Sequence, residues 1–159
     1  LFRKLRPQAA LFALSACAIV TSLSLVLVTS PRDPSPDLAE DLGDARPAIR
    51  HEAAFRASKL DTTATLADSL LRAADDVDLT VRIWAVAALG KSGDPRAFPK
   101  LVERLDDPEL FVRYRAAEGL GALKDARAIG PLERVMRERS WYEGLYALDS
   151  LRRLRPGAY

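Results

Sequence analysis

The chain has 159 residues, of which 24 are basic, 22 acidic, one a histidine and one a cysteine. So few His and Cys exclude a zinc site built from those ligands and any intrachain disulfide, and Cys17, inside an apolar run, is badly placed to form a nucleophile with His51. Setting aside Arg3, Lys4 and Arg6 at the amino end, 21 basic residues face 22 acidic ones, which excludes the concentrated basic face of a general nucleic-acid binder.

Residues 8–30 carry no charge and are dominated by Ala, Leu, Val and Ile. As a helix they would span about 34 Å at roughly 1.5 Å per residue, enough for a hydrocarbon core. Arg3, Lys4 and Arg6 precede this run, and the first acidic residue is Asp33. Residues 1–30 therefore read as a basic flank and a single transmembrane helix. The charge bias puts the amino terminus in the cytoplasm and everything after the helix on the periplasmic side of a bacterial inner membrane. The rival is a cleaved leader, since Leu14-Ser15-Ala16-Cys17 resembles a lipoprotein signal in which Cys17 would be acylated. That would make the chain a periplasmic lipoprotein adaptor. The apolar run continues a dozen residues past Cys17, which favours a retained anchor. Ala9, Ala13, Cys17 and Thr21 recur at four-residue intervals. They form a stripe of small side chains on which a second helix packs closely in lipid; the alternative is a helix facing lipid on all sides.

Residues 31–36 (Pro-Arg-Asp-Pro-Ser-Pro) form a stiff, extended connector. The remainder, 37–159, is repetitive. Asp75-Asp76, Leu79, Val81-Arg82, Ala85, Leu89-Gly90, Asp94, Arg96-Ala97 and Leu101 recur 31 residues later as Asp106-Asp107, Leu110, Val112-Arg113, Ala116, Leu120-Gly121, Asp125, Arg127-Ala128 and Leu132. Upstream, Leu38, Leu42, Ile49-Arg50, Ala53 and Ala57 hold the same slots in a unit one residue longer; downstream, Ala147 and Leu151 continue them. A fixed period of this size marks a solenoid, whose units bury their apolar faces only by stacking. The fold class is all-α: half a unit, three helix–turn–helix units and a terminal helix.

Within the third unit Asp107 and Asp125 suit helix starts. Val112, Ala116, Ala117 and Leu120 mark the inner face of the first helix, and Ile129, Leu132 and Met136 that of the second. The small column Ala53, Ala85, Ala116, Ala147 lets paired helices approach closely. The adjacent carboxylates Asp75-Asp76 and Asp106-Asp107 read as capping groups at helix starts rather than as an acid–base pair. No Gly-rich phosphate loop or nucleophile elbow is present. The expectation is a non-enzyme with no catalytic, metal or cofactor residues and no small-molecule substrate.

The pattern Val-Arg-x-x-Ala-Ala, Leu-Gly, Asp-Pro-Arg-Ala, Leu resembles HEAT repeats, in particular the short HEAT-like repeats of the phycobilisome lyase type, over residues 36–155. The resemblance implies an α-solenoid in which Asp and Arg columns tie neighbouring repeats together, making Arg50, Arg82 and Arg113 structural. Chromophore lyases occur among such proteins, but no residue here marks a bilin site.

Equivalent positions in a repeat share an orientation. One column reads Glu52, Trp84, Arg115, Tyr146, and another, three residues on, Phe55, Ala87, Glu118, Asp149. Aromatics standing where other units place charges are the usual anchors of protein interfaces. Phe55, Trp84, Arg115 and Tyr146 are therefore expected to line a contact strip; the alternative is that Trp84 folds over its neighbour and completes the core. Trp141-Tyr142 is a second candidate contact, or else an aromatic cap on the last turn. The run Arg134, Arg137, Arg139, Arg152, Arg153, Arg155 at the carboxyl end is either a surface for an acidic partner or lipid, or a solvated cap. The reading these features favour is a membrane-anchored scaffold or accessory subunit, binding other subunits of a respiratory, photosynthetic or secretion complex and the lipid bilayer. The alternative is a lyase-like or chaperone-like factor handling a chromophore or a maturing protein.

Overall fold

The computed structural model describes residues 35–61 and 63–158. Among them are eight α-helices and no strand: α1 (Ser35–Asp41), α2 (Pro47–Lys59), α3 (Ala67–Ala73), α4 (Leu79–Leu89), α5 (Ala97–Arg104), α6 (Leu110–Ala122), α7 (Ile129–Glu138) and α8 (Trp141–Leu154). Short 3₁₀ turns at Ala64–Leu66 and Ala126–Ala128 lead into α3 and α7. The helices form two rows, α2, α4, α6, α8 in one and α1, α3, α5, α7 in the other.

Side-chain pattern explains the rows. Val81, Val112, Leu89, Leu120 and Leu151 are fully buried beside Leu38, Leu70, Leu101 and Leu132 from the opposite row. The alanine column lies between them, with Ala53, Ala85, Ala116 and Ala147 no more than 1% exposed. Helices carrying the Val-Arg motif pack on one another along their length, α2 on α4, α4 on α6 and α6 on α8. Neighbours in the other row scarcely meet. The stack therefore bends with the Val-Arg row on its inner, concave side.

Backbone proximity in the inner row depends on glycine. A Cβ on Gly90 would lie 2.6 Å from the Cα of Gly119, and one on Gly121 would lie 2.9 Å from the Cβ of Ser150. The Leu-Gly pairs of the repeat are thus the points where α4 meets α6 and α6 meets α8. The first unit has Ser58-Lys59 there instead, and its turn is stitched differently. The hydroxyl of buried Thr63 donates to the Ala88 carbonyl at 2.8 Å, and Lys91 Nζ donates to the carbonyls of Ser58 and Leu60 at 2.8 and 3.1 Å.

Three expectations need correction. Each outer helix packs chiefly on the inner helix that follows it, α1 on α2, α3 on α4, α5 on α6 and α7 on α8. The half unit and the terminal helix of the sequence frame are thus members of complete pairs. Met136 is 37% exposed, and Val135 turns inward with Leu132 in its place; among the described residues no further helix follows α8 to cover it. Finally, no helix among the described residues is long and apolar enough to cross a membrane. They run from 7 to 14 residues. The expected single-pass location in a bacterial inner membrane, with the repeats on its periplasmic side, is overturned on this finding. The span 8–30 and its stripe Ala9, Ala13, Cys17, Thr21 lie outside the described residues.

A candidate partner-binding strip on the inner row

Two charged ladders hold the inner-row helices in register and so fix what lies between them. Each Val-Arg arginine grips its own turn and the next one. Arg50 Nη1 donates to the carbonyls of Asp44 and Ala45, while its Nε and Nη2 reach both carboxylate oxygens of Asp76 at 2.6 and 3.0 Å. Arg82 donates to the carbonyls of Asp76 and Val77 and lies 3.5 Å from the Asp107 carboxylate. Arg113 holds the carbonyls of Asp107 and Pro108 and reaches Glu143 at 2.6 Å. The arginines are structural, as the resemblance implied.

The adjacent carboxylates divide the work. Asp76 and Asp107 face this ladder and accept the N–H two residues on. Asp75 takes Lys100 and Arg104, and Asp106 takes Arg134 and Arg139, all from the outer row or its turns. Burial pushes Asp76 up, but the Arg50 guanidinium and the Asp78 N–H hold it below the usual carboxylate range. Glu143 behaves alike: burial opposes, and the Ser140 hydroxyl and Arg113 prevail. The Arg134 hydrogen bond, against some burial, lowers Asp106. Ionised carboxylates that accept charged donors are stabilised in this way. These are groups locked into structure, with no free acid or base among them.

The structure brings the expected strip together. The rings of Phe55 on α2 and Trp84 on α4 meet edge to face with centroids 5.1 Å apart. The guanidinium of Arg115 on α6 lies 5.2 Å from the Trp84 ring and 5.2 Å from that of Tyr114. Tyr114 in turn packs against Tyr146 on α8 at 4.4 Å. Four successive inner-row helices are thereby joined by one unbroken aromatic–cation chain. Such contacts contribute about 0.5–1.5 kcal/mol each beyond area burial. Trp84 lies between the two sequence readings: half-buried, it packs on the core with part of its ring while the rest remains accessible. Tyr146 is 38% exposed.

Tyr114 is the member that sequence reading missed. Its own column, His51, Ile83, Tyr114, Leu145, gave no signal of a surface contact, because it reads equally well as core. Trp141 and Tyr142 form a separate edge-to-face pair at 5.9 Å at the start of α8. Trp141 is 78% exposed, so it caps nothing among the described residues. The carboxyl-terminal arginines are largely engaged, Arg137 with Glu133 and Arg153 with Asp149.

Beside Trp84 the strip opens into a groove of about 250 Å³. Trp84 and Arg115 form its walls, Ala87, Gly119 and Ala122 its small-residue lining, and Lys59, Lys91 and Arg153 reach its rim. Lys59 Nζ stands 5.0 Å from the Phe55 ring centre and 5.9 Å from that of Trp84. Among the described residues no three His, Cys, Asp or Glu side chains are grouped to hold a metal ion.

No curated protein matches this sequence. Among solved structures, the complex of CpcE and CpcF of phycocyanin lyase from Nostoc sp. PCC7120 is similar in fold, with a TM-score of 0.58 at 20% identity over 80% of this chain and 67% of that one. Identity that low speaks for the fold alone. The family described as HEAT repeats matches residues 35–118 and 67–152. These matches open at the first residues of α1 and α3, in the frame of the helix pairs described above. The chain belongs to the HEAT-repeat family.

Proposed function

We propose that this chain is a binding subunit that holds a partner protein across its inner row, as a lyase-like or chaperone-like factor handling a maturing protein. One observation carries the reading: the chain Phe55–Trp84–Arg115–Tyr114–Tyr146 runs without a break across four helices of the concave side. These side chains help to join the inner-row helices, but Phe55, Trp84 and Tyr146 each stay partly accessible on the inner row. Trp, Tyr and Arg are the residues on which interface energy concentrates. The similar solved structure is a complex of two proteins, which supports an expectation that this chain too works against a protein partner.

The test is gentle purification of the tagged full chain from its native cell, with identification of what remains bound. Wild type retains a partner in fixed proportion; Trp84→Ala and Phe55→Ala lose it while keeping the wild-type helical circular dichroism. Retention of the partner by both variants would refute the strip. A second reading, direct handling of a chromophore, is supported by the similarity in fold to the phycocyanin lyase complex. It predicts visible absorbance in the purified complex that bleaches with Trp84→Ala.

A further inference from the structure

The groove beside Trp84 has a composition that the aromatic strip alone does not explain. Four cations reach it from four successive inner-row elements: Lys59 at the end of α2, Lys91 just after α4, Arg115 on α6 and Arg153 on α8. Among the described residues Glu118 is the one carboxylate in its lining. Glu118 engages Arg115 at 2.8 Å, and Asp149 engages Arg153 at 2.7 Å. Lys91 is satisfied by the carbonyls of Ser58 and Leu60, and Lys59 stands over the Phe55 and Trp84 rings. Among the described residues no carboxylate compensates Lys59 or Lys91, and both stand beside an aromatic face.

Size narrows the ligand. About 250 Å³ falls below the roughly 300–1,000 Å³ of pockets that enclose small molecules. It suits one or two side chains of a chain lying across the helices. A polyanion tracking a backbone of phosphates needs an extended basic surface, and this domain is near neutral.

We infer that the groove receives an acidic segment of the partner protein, its carboxylates on Lys59 and Lys91 and an adjacent apolar side chain on the face of Trp84. The inference rests on the partner-binding reading and specifies its chemistry. The probe is a fluorescein-labelled peptide of four glutamates around a central leucine, followed by anisotropy with the full wild-type chain. Controls are the same peptide with lysines in place of the glutamates, and a labelled thymidine strand of nine nucleotides.

The expected result is saturable binding of the acidic peptide alone, weakened about tenfold by half-molar salt and about tenfold by Lys59→Glu or Lys91→Glu. Glu118→Gln, which removes the groove's own carboxylate, tightens it several-fold. Absence of acidic-peptide binding, equal binding of the lysine peptide, or preference for the thymidine strand would overturn the inference, as would indifference to both charge reversals. Should the peptide fail while Trp84→Ala still strips a co-purifying partner from the chain, the acidic specificity falls and the strip stands. If neither holds, both fall.

Discussion

Substituting Gly90 by alanine tests how the inner row is held together. Gly90 ends α4 in right-handed helical conformation, with φ −59° and ψ −16°, so alanine is conformationally acceptable there and would by propensity alone stabilise a helix by up to about 1 kcal/mol. The new methyl, however, lies 2.6 Å from the Cα of Gly119, with the carbonyl oxygen at 3.2 Å and its carbon at 3.3 Å. What it meets is backbone, so a helix must move. Overpacking of this kind costs about 1–3 kcal/mol. Because the atoms met are backbone, the upper part of that range applies, about 2–3 kcal/mol; less the propensity gain of about 1 kcal/mol, the net loss is roughly 1–2 kcal/mol, a fall in Tm of about 3–10 °C for a domain of this size. Gly130→Ala is the matched control, because nothing lies within 4 Å of a Cβ built there; its Tm stays level or rises by a few degrees. Thermal melts followed by circular dichroism measure both. A Gly90→Ala melt at or above wild type would refute the close α4–α6 approach, and with it the spacing between Trp84 and Arg115.

The charged ladders make stability acid-sensitive. Asp76, Asp106 and Glu143 lie below their ordinary values when folded, and Asp44, on which the Arg46 side chain acts most strongly, falls to about 2. Their contribution is therefore complete above the unfolded values near 4 and is lost as pH drops through the folded ones. Urea midpoints should stay flat from pH 7 to about 5 and decline below about 4, and Arg113→Met should shrink that decline. Arg82→Ala frees the carbonyls of Asp76 and Val77 and removes one of two cations near Asp107, whose side chain is 1% exposed. A loss of about 1–3 kcal/mol in chemical denaturation is expected. Lys124 holds φ at +54° where the preceding unit places Gly93 at +67°. Lys124→Gly should raise stability by about 0.5–1 kcal/mol in the same assay, since the left-handed conformation costs a side chain about 1–2 kcal/mol and glycine's extra unfolded-state entropy offsets part of that gain.

Much of the fold was legible because the repeat compares each position with itself. Columns that stay small or apolar, such as Ala53/Ala85/Ala116/Ala147, are the buried ones, and the arginine column became the ladder. The errors came where the columns end. Met136 shares its register with Leu105, yet Leu105 is covered by the following pair and Met136 is not. Periodicity reports orientation along a helix and is silent on whether a neighbour lies over it. The pairing of α1 with α2 was invisible for a related reason, since a repeat can be cut at either of its two turns. The candidate strip was legible through aromatics in a charged column. Its closure through Tyr114 was not, because a tyrosine among His51, Ile83 and Leu145 reads equally well as core. The basic groove was legible in the same way and was not read: Lys59, Lys91, Ala122 and Arg153 form one column two residues after Ala57, Leu89, Leu120 and Leu151, basic in three of four units.

Photo-cross-linking bears most directly on the claim that the concave row holds a protein. A benzoylphenylalanine placed at Phe55 or Tyr146 of the full chain, irradiated in the native cell, should yield one shared adduct with a single partner. The same group at Arg72, exposed on α3 of the outer row, should yield none. Adducts from Arg72 with silence from the two inner-row sites would contradict the account.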